Sequence, residues 1–306
     1  MSNTTASLRR KIGTAGDLQS VVRTMKALAA SNIGQYEQSV RALGHYYRSV
    51  ELGLSICFRK NAAAPITEST ARPGEGSVGA VVFGSDQGLV GRFNDVVADF
   101  ALKALAKLPG KHRVWAVGER VHGRLADAGL TLAGLHAVPN SVQTITPLVG
   151  RILVESEAHQ SQDEIGELHL FYNHPTSGAI YEPVQQRLLP LDEIWRRKLV
   201  ELSWPTGNLP EVMGDETATL RGLIREYLFV SLFRACAESL ASENASRLAA
   251  MQRADKNIDD LLEDLNGNFH RIRQSGIDAE LFDVVSGFEA LAGPASILNF
   301  EPQVTS

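Results

Sequence analysis

Apolar side chains recur at alternating spacings of four and three residues near both ends of the chain. Near the start the series comprises Tyr36, Val40, Leu43, Tyr47, Val50, Leu54 and Cys57. Near the end it comprises Ala237, Ala241, Asn244, Leu248, Met251, Asp255, Ile258, Leu262, Leu265, Phe269 and Ile272, with only Asn244 and Asp255 polar. A period of about 3.5 residues places each series along one narrow seam of a helix, as in a coiled coil. Because each seam needs a partner, we predict that the two terminal helices pack against each other.

The sequence between these helices alternates between strand-like and helix-like segments. Strands are predicted at 78–83, 113–117, 167–173 and 184–189, and helices at 94–108, 119–128 and 147–160. Alternating strands and helices indicate a mainly parallel sheet covered on both faces, and the last two strands read as a hairpin. The predicted fold class is therefore α/β, a long coiled coil of the terminal helices with an inserted Rossmann-like α/β domain.

Five parts of the chain follow from these patterns. They are an N-terminal coiled-coil helix at 1–60, a linker at 61–77, a central α/β domain at 78–210, a C-terminal coiled-coil helix at 211–292 and a tail at 293–306. The first helix contains Gly13, Gly16, Gly34, Gly44 and Gly53. Each glycine inside a helix costs about 1 kcal/mol relative to alanine. We therefore expect a neighbouring backbone to approach this helix closely.

Charge is distributed unevenly between the two ends. The net charge of -5 argues against nucleic acid as the main partner. Residues 1–60 carry nine Lys and Arg against three Asp and Glu, whereas residues 211–301 carry eight against sixteen. A basic and an acidic helix attract each other, and this attraction helps to select the partner more than it adds stability.

Several features limit the compartment and the chemistry. The two cysteines, Cys57 and Cys236, do not make a disulfide framework or a metal site, and their seam-like positions indicate buried apolar residues. The sequence contains no run of about 18 apolar residues, so we predict no transmembrane segment. Residues 1–6 are short and polar and lead directly into helix, so we expect neither a signal peptide nor a transit peptide. A cytoplasmic protein is the expectation.

The turn after the first predicted strand is the best candidate for a ligand site. Residues 84–91, GSDQGLVG, lie between a strand and a helix, which is where phosphate-binding loops occur. The run matches neither G-x-G-x-x-G nor G-x-x-x-x-G-K-[ST], and Ser85 is not in a G-x-S-x-G elbow. A tight turn that includes Asp86, Gly88 and Gly91 is the simpler interpretation.

The other polar residues form no recognisable catalytic or metal site. Among the eight histidines, His169 and His174 come nearest to a ligand spacing, but no Cys or acidic partner stands at the required distance in sequence. Acidic residues within 259–264 are explained more simply by a solvated or partner-facing surface than by acid/base catalysis. The sequence thus predicts no catalytic residue, no cofactor and no metal.

Several motifs resemble those of the gamma subunit of rotary F-type ATP synthases. They are LRRKI at 8–12, TMKALAAS at 24–31, SDQGLVGRFN at 85–94, SENASRLAAM at 242–251, RIRQSGI at 271–277 and LFDVVSG at 281–287. The matches are collinear from residue 8 to residue 291. Gly91-Arg92-Phe93 replaces the usual Gly-Gly-Leu, so the chain resembles a divergent, bacterial-like member of that family.

The resemblance implies a central-stalk rotor subunit that is not catalytic by itself. In this family the two chain ends form an antiparallel coiled coil inside a ring of alpha and beta subunits, and the α/β domain sits near the epsilon subunit and the membrane c-ring. The rotor couples proton or sodium translocation to ATP synthesis or hydrolysis on the ring, peripherally on the cytoplasmic face of the bacterial inner membrane. By family position Met25, Arg247, Arg273 and Gln274 would contact catch loops of the alpha and beta subunits.

Two other functions remain open from the residues alone. The turn at 84–91 is compatible with a soluble α/β nucleotide-binding enzyme that dimerises through coiled-coil arms. The helical seams are also compatible with a passive coiled-coil scaffold that has no rotary partner. Nucleotide binding by residues 78–210 would favour the enzyme, and capture of alpha, beta and epsilon subunits would favour the rotor.

Overall fold

The computed structural model describes residues 4–60, 77–161, 166–177, 180–191, 193–208 and 210–292. Nearly all of the predicted linker and the whole predicted tail lie outside the described residues, and the five-part division of the chain stays a prediction. The chain forms two compact units, one of residues 1–24 with 253–306 and one of residues 25–252. Both long helices contribute to both units.

Six helices and five strands make up the described part of the chain. In chain order they are α1 Thr5–Lys60, β1 Val78–Phe83, α2 Phe93–Leu105, β2 His112–Val117, α3 Glu119–Asp127, β3 Leu132–His136, α4 Val142–Ser161, β4 Glu167–His174, β5 Glu182–Leu189, α5 Glu193–Val200 and α6 Glu216–Ala292. The sequence predicted every element except β3 and α5. Helix α4 begins five residues before Pro147, where we had placed its start, and α6 begins five residues after Glu211.

The five strands form one sheet in the order β3-β2-β1-β4-β5. Strand β1 pairs in parallel with β2 and with β4, and β3 pairs in parallel with β2, whereas β5 runs antiparallel to β4. The predicted mixed α/β fold, with a mainly parallel sheet and a terminal hairpin, is therefore confirmed.

Apolar cores cover both faces of this sheet. On one face Val97 of α2 and Val121 of α3 pack against Ala80 and Val82 of β1. On the other face the neighbouring β1 residues, Val81 and Phe83, join a larger core that includes side chains of α1, α4 and α6. Alternate residues of a strand face opposite sides of a sheet, so the almost uninterrupted apolar run of β1 follows directly from this double burial.

Within each unit α1 and α6 run antiparallel to each other. In the unit of residues 25–252, Asn32 Nδ2 donates to Asn244 Oδ1 over 3.3 Å, and Tyr46 Oη donates to Glu226 Oε2 over 2.8 Å. The unit of residues 1–24 and 253–306 follows the same rule. There the Arg9 guanidinium lies 5.7 Å from the centre of the Phe269 ring, and Arg23 Nε lies 3.2 Å from Asp255 Oδ1. The number of the α6 partner falls as the α1 number rises, as an antiparallel pair requires.

The seam of α1 extends further towards the N-terminus than the sequence pattern indicated. Buried side chains recur along it every seven residues, at Leu8, Ala15, Val22, Ala29, Tyr36, Val50 and Cys57, with the partly buried Leu43 completing the series. Alanines hid the early part of the seam, because a small side chain in a helix-rich composition gives a weak periodic signal.

The explanation offered for the glycines of α1 was wrong. A Cβ atom added at Gly13, Gly16, Gly34 or Gly44 would meet nothing within 4 Å, so no neighbouring backbone requires these glycines. Only Gly53 has a close neighbour, because its Cβ would lie 3.2 Å from side-chain atoms of Leu223.

Candidate functional site where helix α6 meets the sheet

The turn at residues 84–92 lies at the carboxyl end of β1, next to the carboxyl end of β4. The chain passes to β2 on one side of β1, and β4 later joins on the other side, so this is the point where strand order reverses. Open α/β sheets usually bind their ligands in the crevice at such a switch point. The predicted turn at 84–91 therefore lies at the switch point of the sheet.

Helix α6 covers this crevice. Ser246 Oγ donates to the carbonyl oxygen of Val90 over 2.6 Å, and the Val90 side chain is itself buried. At the end of β4, His174 Nδ1 donates to Glu238 Oε2 over 2.8 Å. Both contacts join α6 to the strand ends where a ligand would otherwise bind, so the chain's own helix takes that position.

The turn itself is held by hydrogen bonds within the α/β domain. Ser85 N–H donates to Asn94 Oδ1 over 2.9 Å, and Asn94 Nδ2 donates to Ser85 Oγ over 2.8 Å. A Cβ atom at Gly84 would lie 2.4 Å from Cβ of Val121, so only glycine fits there. Leu89 (φ 62°) and Gly91 (φ 57°) adopt left-handed backbone conformations that turn the chain into α2.

Asp86 gives this turn an electrostatic character that disfavours phosphate. Its Oδ1 accepts from the Glu119 N–H at the start of α3, and its Oδ2 accepts from the Val138 N–H, each over 2.9 Å. The positive end of the α3 dipole is the natural anion site here, and a carboxylate already neutralises it. A Cβ atom added at Gly88 would lie 3.9 Å from Arg120 Nη2, so this glycine has room for a side chain.

A second set of polar residues lies on α6 beside this turn, within the SENASRLAAM motif. Arg247 Nη2 donates to Glu243 Oε1 over 2.6 Å, and only 14% and 6% of the two side chains are exposed. Burial raises the pKa of the Glu243 carboxyl, an effect that Arg247 opposes and Asp86 reinforces. Burial also raises the pKa of Tyr36 on α1 to about 12, with a smaller contribution from Glu243. Arg247 and Glu243 therefore form an inward-facing ion pair.

The raised pKa of Glu243 makes a pH-dependent prediction. A carboxyl whose pKa is higher in the folded state binds its proton more readily there, so its charge costs stability as pH rises from the ordinary value of 4.5 through the folded pKa. Glu243→Gln removes this titration. The free energy of unfolding of the wild type, minus that of Glu243→Gln, should therefore decrease as pH rises above 4.5. Urea unfolding of both chains at several pH values measures the difference, and a difference that increases with pH would contradict the prediction.

The four residues expected to contact catch loops lie in different compact units. Met25 and Arg247 belong to the unit of residues 25–252, and both are partly buried. Arg273 and Gln274 belong to the other unit, and both are exposed on α6. The structure contains no partner chain, so the contact roles of these four residues stay predictions.

The predicted seam residues differ in burial. Val50, Met251 and Ile258 are buried. The partly buried ones that pack against the larger core are Val40, Leu43 and Tyr47. Those that are partly buried along α6 are Leu248, Leu262, Leu265, Phe269 and Ile272.

Sequence reasoning missed the polar residues that attach α6 to the sheet. Glu238 and His174 received no role, and Ser246 was quoted only as part of a motif. A signal was present in the sequence, because Glu238 and Glu243 interrupt an otherwise small and apolar stretch of α6. A charged residue inside such a stretch is expected to have a specific partner when it is buried.

Within the described ranges, no helix is both long and apolar enough to cross a membrane. Across the same residues, no group of three or more His, Cys, Asp or Glu side chains is arranged to hold a metal ion. Cys57 and Cys236 are free and buried, as their seam-like positions indicated.

Comparison with known proteins gives one consistent result. A family model described as ATP synthase matches residues 4–291. The ATP synthase gamma chain of Clostridium pasteurianum is 27% identical over 93% of this chain and 97% of its own length. The gamma chain of a Parafrankia species is 28% identical over 94% of this chain and 97% of its own length.

Solved structures share the fold at low identity. A chain of the mitochondrial ATP synthase of Euglena gracilis, from an OSCP/F1/c-ring structure, aligns with a TM-score of 0.61 at 15% identity, over 98% of this chain and 99% of its own. A chain from the central stalk and c-ring of the Tetrahymena thermophila enzyme aligns with a TM-score of 0.53 at 22% identity, over 76% of this chain and 99% of its own.

Proposed function

This chain belongs to the ATP synthase family, whose gamma chains are its relatives, and on that premise we propose that it is the central-stalk rotor of an F-type ATP synthase. In this role it couples ion translocation through a membrane ring to ATP synthesis or hydrolysis on a ring of alpha and beta subunits. The match to the family model over residues 4–291, which includes both long helices and the sheet, carries the proposal.

A mechanical role is further supported by the way the crevice of the sheet is used. Helix α6 occupies the position where a nucleotide would lie in a Rossmann-like enzyme, and Asp86 already neutralises the N-terminus of α3. The alternative of a soluble nucleotide-binding enzyme is therefore not favoured. We propose that the chain is not catalytic by itself and that nucleotide chemistry occurs on the other subunits.

The exposed end of α6 suggests how the chain meets its ring. Beyond Arg273 and Gln274, large apolar side chains are exposed at Ile277, Leu281, Phe282, Val284, Val285 and Phe288. Exposed apolar clusters of this kind mark interaction surfaces. We propose that this segment turns inside an apolar sleeve of the alpha and beta subunits. We also propose that Met25, Arg247, Arg273 and Gln274 contact their catch loops, with Arg273 and Gln274 as directional donors.

The remaining partners are proposed from the assemblies in which similar chains occur. The similar structures are those of a central stalk with a c-ring and of an F1 part with a c-ring. By this analogy the chain contacts the epsilon subunit and the c-ring, and it acts peripherally at the cytoplasmic face of a bacterial inner membrane.

Affinity capture of the tagged full-length chain from membranes of its own organism tests the proposal. Alpha, beta and epsilon subunits and the c-ring should co-purify, and the complex should hydrolyse ATP and pump ions in vesicles. A variant lacking residues 277–306 should retain ATPase activity but lose ATP-driven pumping, because the exposed end of α6 is removed. A variant lacking only residues 293–306 is the matched control. Capture of no ring subunit, together with tight nucleotide binding by the free chain, would overturn the proposal.

A further inference from the structure

Helix α6 and the sheet share one buried carboxylate, that of Glu238. Only 4% of its side chain is exposed. His174 Nδ1, at the last residue of β4, donates to Oε2 over 2.8 Å, and Arg234 Nε donates to Oε1 over 2.7 Å. Burial and the nearby Glu238 carboxylate raise the pKa of the Tyr172 hydroxyl, which is also on β4. One donor from the sheet and one from α6 therefore hold Glu238 in place.

Arg234 extends this cluster to helix α1. Burial raises the pKa of the Glu51 carboxyl on α1, and the guanidinium groups of Arg48 and Arg234 oppose that shift. Arg234 therefore lies close enough to act on Glu51 while it donates to Glu238. The Arg234 charge therefore also acts on α1, while its hydrogen bond is to Glu238.

The apolar contacts of α6 around Glu238 are less directional than its charged hydrogen bonds. The α6 residues that pack in the larger core there are the small Ala235, Ala237 and Ala241 and the larger Leu232, Phe233 and Leu240. Apolar burial is roughly proportional to buried area and is not directional, so it fixes the angle of a helix less sharply than a hydrogen bond does. Charge-assisted hydrogen bonds fix both distance and angle, and they are shorter and stronger than neutral ones.

We propose that Glu238 locks helix α6 to the sheet against rotation about the helix axis, so that torque passes between the two. The proposal rests on the rotor function proposed above. Glu238 is a positioning residue in this role: it acts by holding His174 of the sheet against the helix. The hydrogen bond from Ser246 to Val90 joins α6 to the turn after β1. Without Glu238, the end of β4 would have no hydrogen-bond partner on α6 among these contacts.

The complete ATP synthase carrying Glu238→Gln, reconstituted in vesicles, tests the proposal. The amide keeps the size of the side chain but replaces one acceptor oxygen with an NH2 donor. This donor would face an N–H of His174 or Arg234, so one of the two hydrogen bonds is lost. ATPase activity per assembled complex should persist, while the number of ions pumped per ATP hydrolysed falls by at least about twofold, as expected when locked and slipped states become equally populated. His174→Leu should have the same effect, and His174→Asn, which keeps a donor, should retain more coupling.

Glu157→Gln is the matched control. Glu157 of α4 also pairs with an arginine of α6, Arg225, over 2.9 Å, but 44% and 67% of these side chains are exposed. An exposed pair contributes little, so the ratio of ions to ATP should not change. An unchanged ratio in Glu238→Gln, or an equal fall in Glu157→Gln, would overturn the proposal. A purely structural role would lower the yield of complex and leave the ratio intact, which also overturns it. Failure of the wild-type chain to assemble with a ring would instead overturn the rotor function, and with it this inference.

Discussion

Replacing Arg247 by alanine is expected to lower the free energy of unfolding of the free chain by roughly 3–5 kcal/mol, the usual cost of removing one partner of a buried ion pair. The reason lies in Glu243, whose side chain is only 6% exposed and accepts its hydrogen bond from Arg247. Burial already raises the pKa of this carboxyl in the presence of the guanidinium. Without Arg247, the Glu243 charge would lose the cation that offsets its desolvation.

Urea unfolding of the full-length chain measures this loss. Two further variants serve as the control and as a test of the unpaired charge. Arg225→Ala removes an exposed guanidinium from the same helix and should change stability by less than about 1 kcal/mol. The double variant Arg247→Ala with Glu243→Gln should recover part of the loss, because the unpaired charge is removed as well. A small effect of Arg247→Ala, equal to that of Arg225→Ala, would show that Glu243 is hydrated in solution.

Replacing Leu54 by alanine is expected to cost about 2–5 kcal/mol, the range found for buried leucines. The Leu54 side chain is fully buried in the larger core, which also contains Phe83 of β1 and Leu232 of α6. Alanine would remove three side-chain carbon atoms from the core that the sheet, α1 and α6 share. The surroundings can collapse only partly, so both transfer energy and cavity energy are lost.

Leu28→Ala on the same helix is the matched control for Leu54→Ala. Leu28 is 59% exposed, so the same substitution removes little buried surface and exchanges one good helix former for another. Urea unfolding should show a shifted midpoint for Leu54→Ala with an unchanged dependence on denaturant, and almost no shift for Leu28→Ala. Equal losses in the two variants would contradict the role assigned to burial at Leu54.

The elements with a strong hydrophobic pattern could be predicted from the sequence, whereas those with a weak pattern could not. Strand β1 was predicted with its observed bounds because it is apolar on both faces. Strand β3 was missed because it is short and lies at the sheet edge, and its Gly134 packs under Trp115 in place of a larger side chain. The predicted start of α4, at Pro147, is five residues too late because this proline lies inside the first turns of the helix. The local signal lay at Ser141, whose N–H donates to Thr144 Oγ1 while its carbonyl oxygen accepts from the Thr144 N–H.

The position of the turn at 84–91 could be predicted from the sequence, but the contacts around it could not. The strand-to-helix turn at 84–91 was identified from its glycines, because local backbone chemistry sets such a turn. The contacts that decide its use join residues far apart in sequence, such as Ser246 with Val90, or Glu238 with His174. Which polar side chain meets which depends on how α6 lies on the sheet, and periodicity within one helix contains no information about that placement.

The larger core also limits the order in which this protein can fold during synthesis. It combines side chains from near the start of the chain, such as Tyr36 and Leu54, with Leu232 and Leu240, which are translated some 180 residues later. Part of one face of the sheet must therefore stay uncovered until α6 leaves the ribosome, although α1 and α4 can cover the rest earlier. Exposed apolar sheet surfaces promote aggregation in incomplete chains. We expect nascent chains that end before residue 216 to depend on chaperones, and the native packing to form only after release.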